Sequence, residues 1–132
     1  MKKKKISRII LKEEKIIKKE WKNIIFNTIF AILALLIVIF FYKNILLTTI
    51  LLIIITLIGL LKWKSNMAII MFFCGFIMGP IAEMIAIAFG VWQYAVTDLI
   101  NVPWWLFILW GDAVVFFFET MKEIKKLGVK DR

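Results

Sequence analysis

The chain opens with lysines set among isoleucines, turns apolar, and stays so with few interruptions until its basic end. From Met1 to Lys22 the apolar positions Ile6, Ile9, Ile10, Ile16, Ile17 and Trp21 form an imperfect helical stripe, interrupted by Glu13 and Glu14. From Ile24 to Leu61 nearly every residue is apolar. As one helix this run would reach about 57 Å against a hydrocarbon core of about 30 Å, so it has to fold back. Lys43 and Asn44 mark the reversal, because Asn tolerates the left-handed conformation of a tight turn. The pattern predicts helix one at Ile24 to Tyr42 and helix two at Ile45 to Leu61. Both are apolar around the whole circumference, which predicts a scaffold turned to lipid. After a short basic loop, Lys62 to Asn66, helix three is expected from Met67 to about Phe89 and helix four from Trp104 to about Met121.

Helix three carries small residues at spacings of three and four, Gly75, Gly79, Ala82, Ala86 and Gly90, with Glu83 on the same side. Such a face lets a neighbouring backbone approach closely, so Gly75, Gly79 and Gly90 are the expected packing positions and a route to dimerisation. Pro80 removes a backbone donor about one turn before Glu83, which predicts a kink there.

The composition gives this pattern its setting. Hydrophobic residues make up 63% of the 132, well above the roughly 45 to 50% of soluble domains, so too little polar surface is left for a soluble fold. The net charge of +9 would suggest a nucleic-acid partner on a soluble protein, but here the basic residues occupy the ends. Ten fall between Met1 and Lys22 and five between Lys122 and Arg132, a distribution that keeps flanks on the cytoplasmic side. The fold class is therefore all-α: a polytopic integral protein of the cell membrane with four transmembrane helices and both termini cytoplasmic. Residues 1–22 form a basic amphipathic segment and residues 23–132 the four-helix transmembrane domain with a short cytoplasmic tail. Membrane lipids and a homo- or hetero-oligomer are the expected partners, and nucleic acid is not among them. The chain has no histidine, and its one cysteine, Cys74, is expected to pack in an apolar helix. That inventory leaves no zinc site, no histidine-assisted nucleophile and no indicated cofactor.

Within the spans the chemistry rests on two acids and a set of aromatics. Glu83 and Asp112 fall in the outer half of helices three and four, where no Lys or Arg lies inside a span to pair with them. Two acids sharing one proton could bond to each other and staple helix three to helix four; they could equally relay protons or cations, or act as acid catalysts. Without a repeated aspartate motif they are a weak signal for a divalent cation. Trp105, Asp112 and Glu119 are seven apart and share one face, and Glu119 has Lys122 within ion-pair reach. Trp92, Tyr94, Trp104, Trp105 and Trp110 suit an outer-interface belt. They equally suit a pocket whose π faces, at Trp92, Tyr94, Trp105 and Trp110, stabilise a carbocation beside a proton-donating acid.

The order Glu83, Gly90, Val91, Trp92, Gln93, Tyr94, Asn101, Val102, Pro103, Trp104 and Trp110 resembles the small membrane proteins of carotenoid biosynthesis, the heterodimeric-type lycopene cyclases and the carotenoid hydratase-like proteins. The resemblance covers Gly79 to Gly111. It implies a polytopic protein acting on a long isoprenoid, with Glu83 as proton donor and Trp92 and Tyr94 lining the cavity. Those families generally have more spans, and the cyclases tend to carry paired acids where this chain has Glu83 followed by Met84. The expected function is binding or acid-catalysed conversion of an apolar, isoprenoid-like lipid in the outer half of helices three and four. The alternative is a non-enzymatic transport or assembly protein that uses Glu83 and Asp112 for protons, cations or subunit contacts.

Overall fold

The computed structural model describes residues 1–130 and is an all-α bundle of four helices. They are α1 (Lys2–Phe41), α2 (Ile45–Trp63), α3 (Asn66–Ala88) and α4 (Trp105–Lys126). By length and composition α1, α2 and α3 could each cross a membrane. α4 has the length as well, but Asp112, Glu119 and Lys122 lie within it.

α1 begins well before the expected Ile24. It runs as one helix for 40 residues, about 60 Å, through the basic segment and the apolar one alike. No Gly or Pro precedes Gly59, and Lys, Glu, Ile and Leu all propagate a helix, so nothing in the sequence stops it at Lys22. From Lys2 to Lys19 every residue is exposed.

The reversal between α1 and α2 falls at Lys43 and Asn44, but Asn44 does not adopt the left-handed conformation. Its φ is −106°, and its Oδ1 accepts the Leu47 N–H at 3.1 Å, capping α2. The Thr48 hydroxyl closes the corner by donating to the Phe41 carbonyl at 2.6 Å. At the other end of α2 the left-handed residue is Lys64, and the Ser65 Oγ caps α3 by accepting from Ala68 N–H at 3.2 Å.

α4 is the hub. It packs against each of the other helices, whereas α3 lies almost wholly on α4, meets α2 at a few points and, among the described residues, does not contact α1. The inner faces are marked by the few polar and small residues. On α1 the buried positions are Glu20, Asn27, Phe30 and Ala34, spaced by seven, three and four, and on α2 they are Thr48, Leu52, Thr56 and Gly59, spaced by four, four and three. Helices one and two are therefore not plain lipid-facing scaffold. Lipid tails are as apolar as Leu, so polar and small groups are the ones that gain by turning inward.

Gly75 and Gly79 bring α3 against α4 of the same chain. A Cβ at Gly75 would strike the Trp110 carbonyl oxygen, and one at Gly79 would fall in the Trp110 side chain. In return Gly111 of α4 receives the Phe72 ring. The face expected to support dimerisation is thus already covered from within. α3 continues as one helix through the buried Pro80, and Cys74 lies exposed on its outer side rather than in the packing.

Gly90 belongs to the end of α3, not to this face. Its N–H donates to the Ile87 carbonyl at 2.9 Å and the Val91 N–H to the Ala86 carbonyl at 3.1 Å, the paired bonds of a Schellman cap. Gly90 holds φ +77° with open space around an added Cβ. Gly90→Ala should therefore cost the backbone strain alone, about 1 to 2 kcal/mol. A thermal melt of the detergent-solubilised protein would show it, and an unchanged midpoint would contradict the cap.

Candidate functional site

Glu83 follows Gly79 by one turn of α3 and meets the residue that Gly79 admits. The Trp110 indole Nε1–H donates to Glu83 Oε1 at 2.7 Å, and the Tyr94 hydroxyl donates to Oε2. One carboxyl therefore joins α3, α4 and the segment between them. That segment is itself anchored. Asn101 Nδ2 donates to the Met84 carbonyl at 3.1 Å, Leu99 and Val102 pair across a tight turn with Ile100 at φ +57°, and Asp98 Oδ1 accepts the Trp104 N–H at 2.9 Å where α4 begins. The Tyr94 ring meets Trp105 edge-on, with centroids 5.8 Å apart. Burial, and then the hydrogen bond and charge of Glu83, hold the Tyr94 hydroxyl above the usual tyrosine range, so it remains a donor.

Asp112 is turned toward α2. Thr56 Oγ1 lies 2.8 Å from Asp112 Oδ1 and 2.8 Å from the Leu52 carbonyl, so one hydroxyl faces two acceptors. The expected staple between Glu83 and Asp112 is replaced by two separate ties, Glu83 to Trp110 and Tyr94, and Asp112 to Thr56. Thr56 stands on the inner face of α2, and Trp110 stands over Gly79, so each acid finds a closer partner than the other acid.

The two acids nevertheless line one crevice. It encloses about 480 Å³ on α4 between α1 and α3, and Glu83, Tyr94, Trp105, Trp110 and Asp112 all contribute to its wall. The rest is apolar, with Ala34, Leu35 and Val38 from α1 and Leu109 and Phe116 from α4. Trp92 is not part of it. It lies half-exposed in the segment after Gly90, which corrects its expected place beside the pocket. A second apolar crevice of about 820 Å³ lies between α2 and α3, lined by Thr49, Ile53, Phe73, Phe76 and Ile108 among others.

A polar lock stands at the opposite end of the bundle, and of its bonds only the Glu119–Lys122 pair was apparent in the sequence. Asn27, 1% exposed, accepts the Trp63 indole N–H at 2.8 Å and donates to Thr120 Oγ1 at 3.4 Å. Asn23 Nδ2 donates to Glu123 at 3.2 Å, and Lys126 lies 3.1 Å from Glu123 and 3.7 Å from the buried Glu20. Lys122 pairs with Glu119 at 3.0 Å. The available signal was the spacing Glu20, Asn23, Asn27, which puts polar groups on the stripe that continues into Phe30 and Ala34. Among the described residues no group of three or more His, Cys, Asp or Glu is placed to hold a metal ion.

Chemically, the Glu83 end of the bundle offers a carboxyl engaged by two donors, a second carboxyl engaged by one hydroxyl, and an aromatic and aliphatic wall beside them. No protein-family model matches the chain, no curated protein matches it, and no solved structure matches its fold.

Proposed function

We propose that the chain is a four-span protein of the cell membrane, with both termini in the cytoplasm, that works as a non-enzymatic assembly protein. The observation that carries this reading is that both intramembrane acids are tied within the chain, Glu83 by Trp110 and Tyr94 and Asp112 by Thr56. Polar groups placed this way hold helices together. A proton relay has less support, because Ala113 to Phe118 put nearly two apolar turns between Asp112 and Glu119. The isoprenoid-converting reading also has less support: both Glu83 oxygens accept hydrogen bonds, and Trp92 lies outside the crevice.

Assembly needs a surface for a partner, and the basic half of α1 supplies it. Lys2 to Lys19 extend the span about 27 Å beyond the bundle end as exposed helix, well past the Debye length of about 8 Å at physiological salt. Charges held that far from the leaflet are suited to an acidic face of a cytoplasmic protein. In the full chain, reversing Lys12, Lys15, Lys18 and Lys19 to Glu should abolish in-cell cross-links to such a partner and leave the thermal midpoint of the bundle unchanged. Cross-links that survive the reversal would contradict this role.

The topology rests on 17 basic residues in the two termini and the 62–64 loop, against Lys43 alone in the outer connections. The bond between Asn23 and Glu123 places the start of the apolar part of α1 beside the end of α4, as four spans require. Reporter fusions at Met1 and Arg132 should read cytoplasm and one at Thr97 should read outside. A cytoplasmic signal at Thr97 would rule out four spans.

A further inference from the structure

Among the described residues, two buried polar atoms of α4 have no hydrogen-bond partner, and both belong to residues on the wall of the 480 Å³ crevice. They are Trp105 Nε1, a donor, and Asp112 Oδ2, an acceptor. Both residues are buried, with Trp105 4% exposed and Asp112 3%. A buried polar group left unpaired costs about 1 to 3 kcal/mol, so the site as it stands calls for a molecule that brings the missing partners. The volume lies within the range of about 300 to 1,000 Å³ typical of small-molecule pockets.

The character of the two unpaired atoms selects the head group. An ammonium head only donates and would leave the Trp105 N–H unpaired. An ester or ether only accepts, so it meets Asp112 Oδ2 only when that carboxyl carries a proton, whereas a hydroxyl meets it in either state. A carboxylate or phosphate is also opposed by Glu83 and Asp112, since the wall carries no Lys or Arg to balance it. A hydroxyl accepts and donates, so it suits both. Trp105 and Asp112 stand two turns apart, so one hydroxyl meets one of them directly and a water completes the bond to the other. The remaining wall is aliphatic and aromatic, and the crevice lies between α1 and α3, whose backbones do not approach closely among the described residues, so a chain can slide in sideways from the hydrocarbon. This last step rests on the membrane reading above and is independent of the assembly role.

We propose that this crevice is a binding site for a long-chain alcohol, its chain against Leu35, Val38, Leu109 and Phe116 and its hydroxyl between Trp105 and Asp112. The full-length protein in phosphatidylcholine nanodiscs would be photolabelled with a diazirine-bearing hexadecanol and the labelled peptides mapped by mass spectrometry. Label should concentrate on Ala31 to Val38 and Leu109 to Phe117. Unlabelled 1-hexadecanol should displace it at about one-tenth the concentration needed for hexadecane or palmitate, the ratio expected for one hydrogen bond. Trp105→Phe keeps a ring but removes the N–H and should erase that tenfold preference. Ala113→Phe fills the crevice without replacing either polar group and should abolish the label. Equal displacement by hexadecane and 1-hexadecanol on the wild-type protein would overturn the proposal whatever the variants do. So would label shared evenly with the crevice between α2 and α3, or label that persists in a folded Ala113→Phe.

Discussion

Gly79→Leu should prevent α3 from docking and lower stability by about 3 kcal/mol or more, while Ile81→Leu, two residues away, should change it by less than about 0.5 kcal/mol. The contrast follows from where each side chain goes. A Cβ on Gly79 would already overlap the Trp110 side chain, and a Leu adds three more carbons in the same direction. Trp110 cannot yield, because its backbone carbonyl lies against Gly75 and its indole is bonded to Glu83. α3 has no second surface to fall back on, since it meets α2 at only a few points. Ile81 is 46% exposed on the outer side of the same helix, where one branched aliphatic serves as well as another. Extraction yield and thermal midpoint in detergent would separate the two, and matching values would mean that the Gly79 face is not the helix seam.

The helices were legible because few signals were in conflict. The apolar run was too long for one span, Lys43 and Asn44 offered the only polar break near its middle, and α2 begins at Ile45 as that break requires. What the break does physically was misread. Asn is favoured both as a left-handed residue and as an N-cap, and only the path of the chain decides which property is used; here it caps. The start of α1 was misplaced for a different reason. A change in composition at Lys22 marks where the surroundings of a helix change, not where the helix ends, and no residue there interrupts the backbone hydrogen bonds.

The site was legible in its membership more than in its pairing. An acid in a hydrophobic run must have a partner, which singles out Glu83 and Asp112, but the sequence does not show which way each faces. Asp112 meets α2 through Thr56, a residue that looked incidental within a continuous apolar helix. Asn27 of α1 is a similar case, 1% exposed and bonded to both Trp63 and Thr120. In an apolar medium the sparse polar residues identify the inner face, the reverse of the usual amphipathic pattern. Trp92 and Trp105 show the limit of aromatic belts as a guide. Both lie near the same end of the bundle, yet one is half-exposed and the other buried, because Trp105 sits on the α4 face shared with Asp112 while Trp92 follows the cap at Gly90.

Glu83→Leu should lower stability by about 2 to 4 kcal/mol, because it strands the Trp110 N–H and the Tyr94 O–H together. Glu83→Gln keeps the carbonyl oxygen for the Trp110 indole and can turn its amide N–H toward the Tyr94 oxygen, so a tie survives with about 1 kcal/mol lost. The most direct test is therefore to compare wild type, Glu83→Gln and Glu83→Leu, measuring the thermal midpoint in nanodiscs and the cross-linking of the α1 arm in cells. If Glu83 is a tie within an assembly protein, Gln should lie near wild type in both measurements and Leu should fall in both. A Gln variant as stable as wild type that loses the partner, or a Leu variant with an unchanged midpoint, would contradict it.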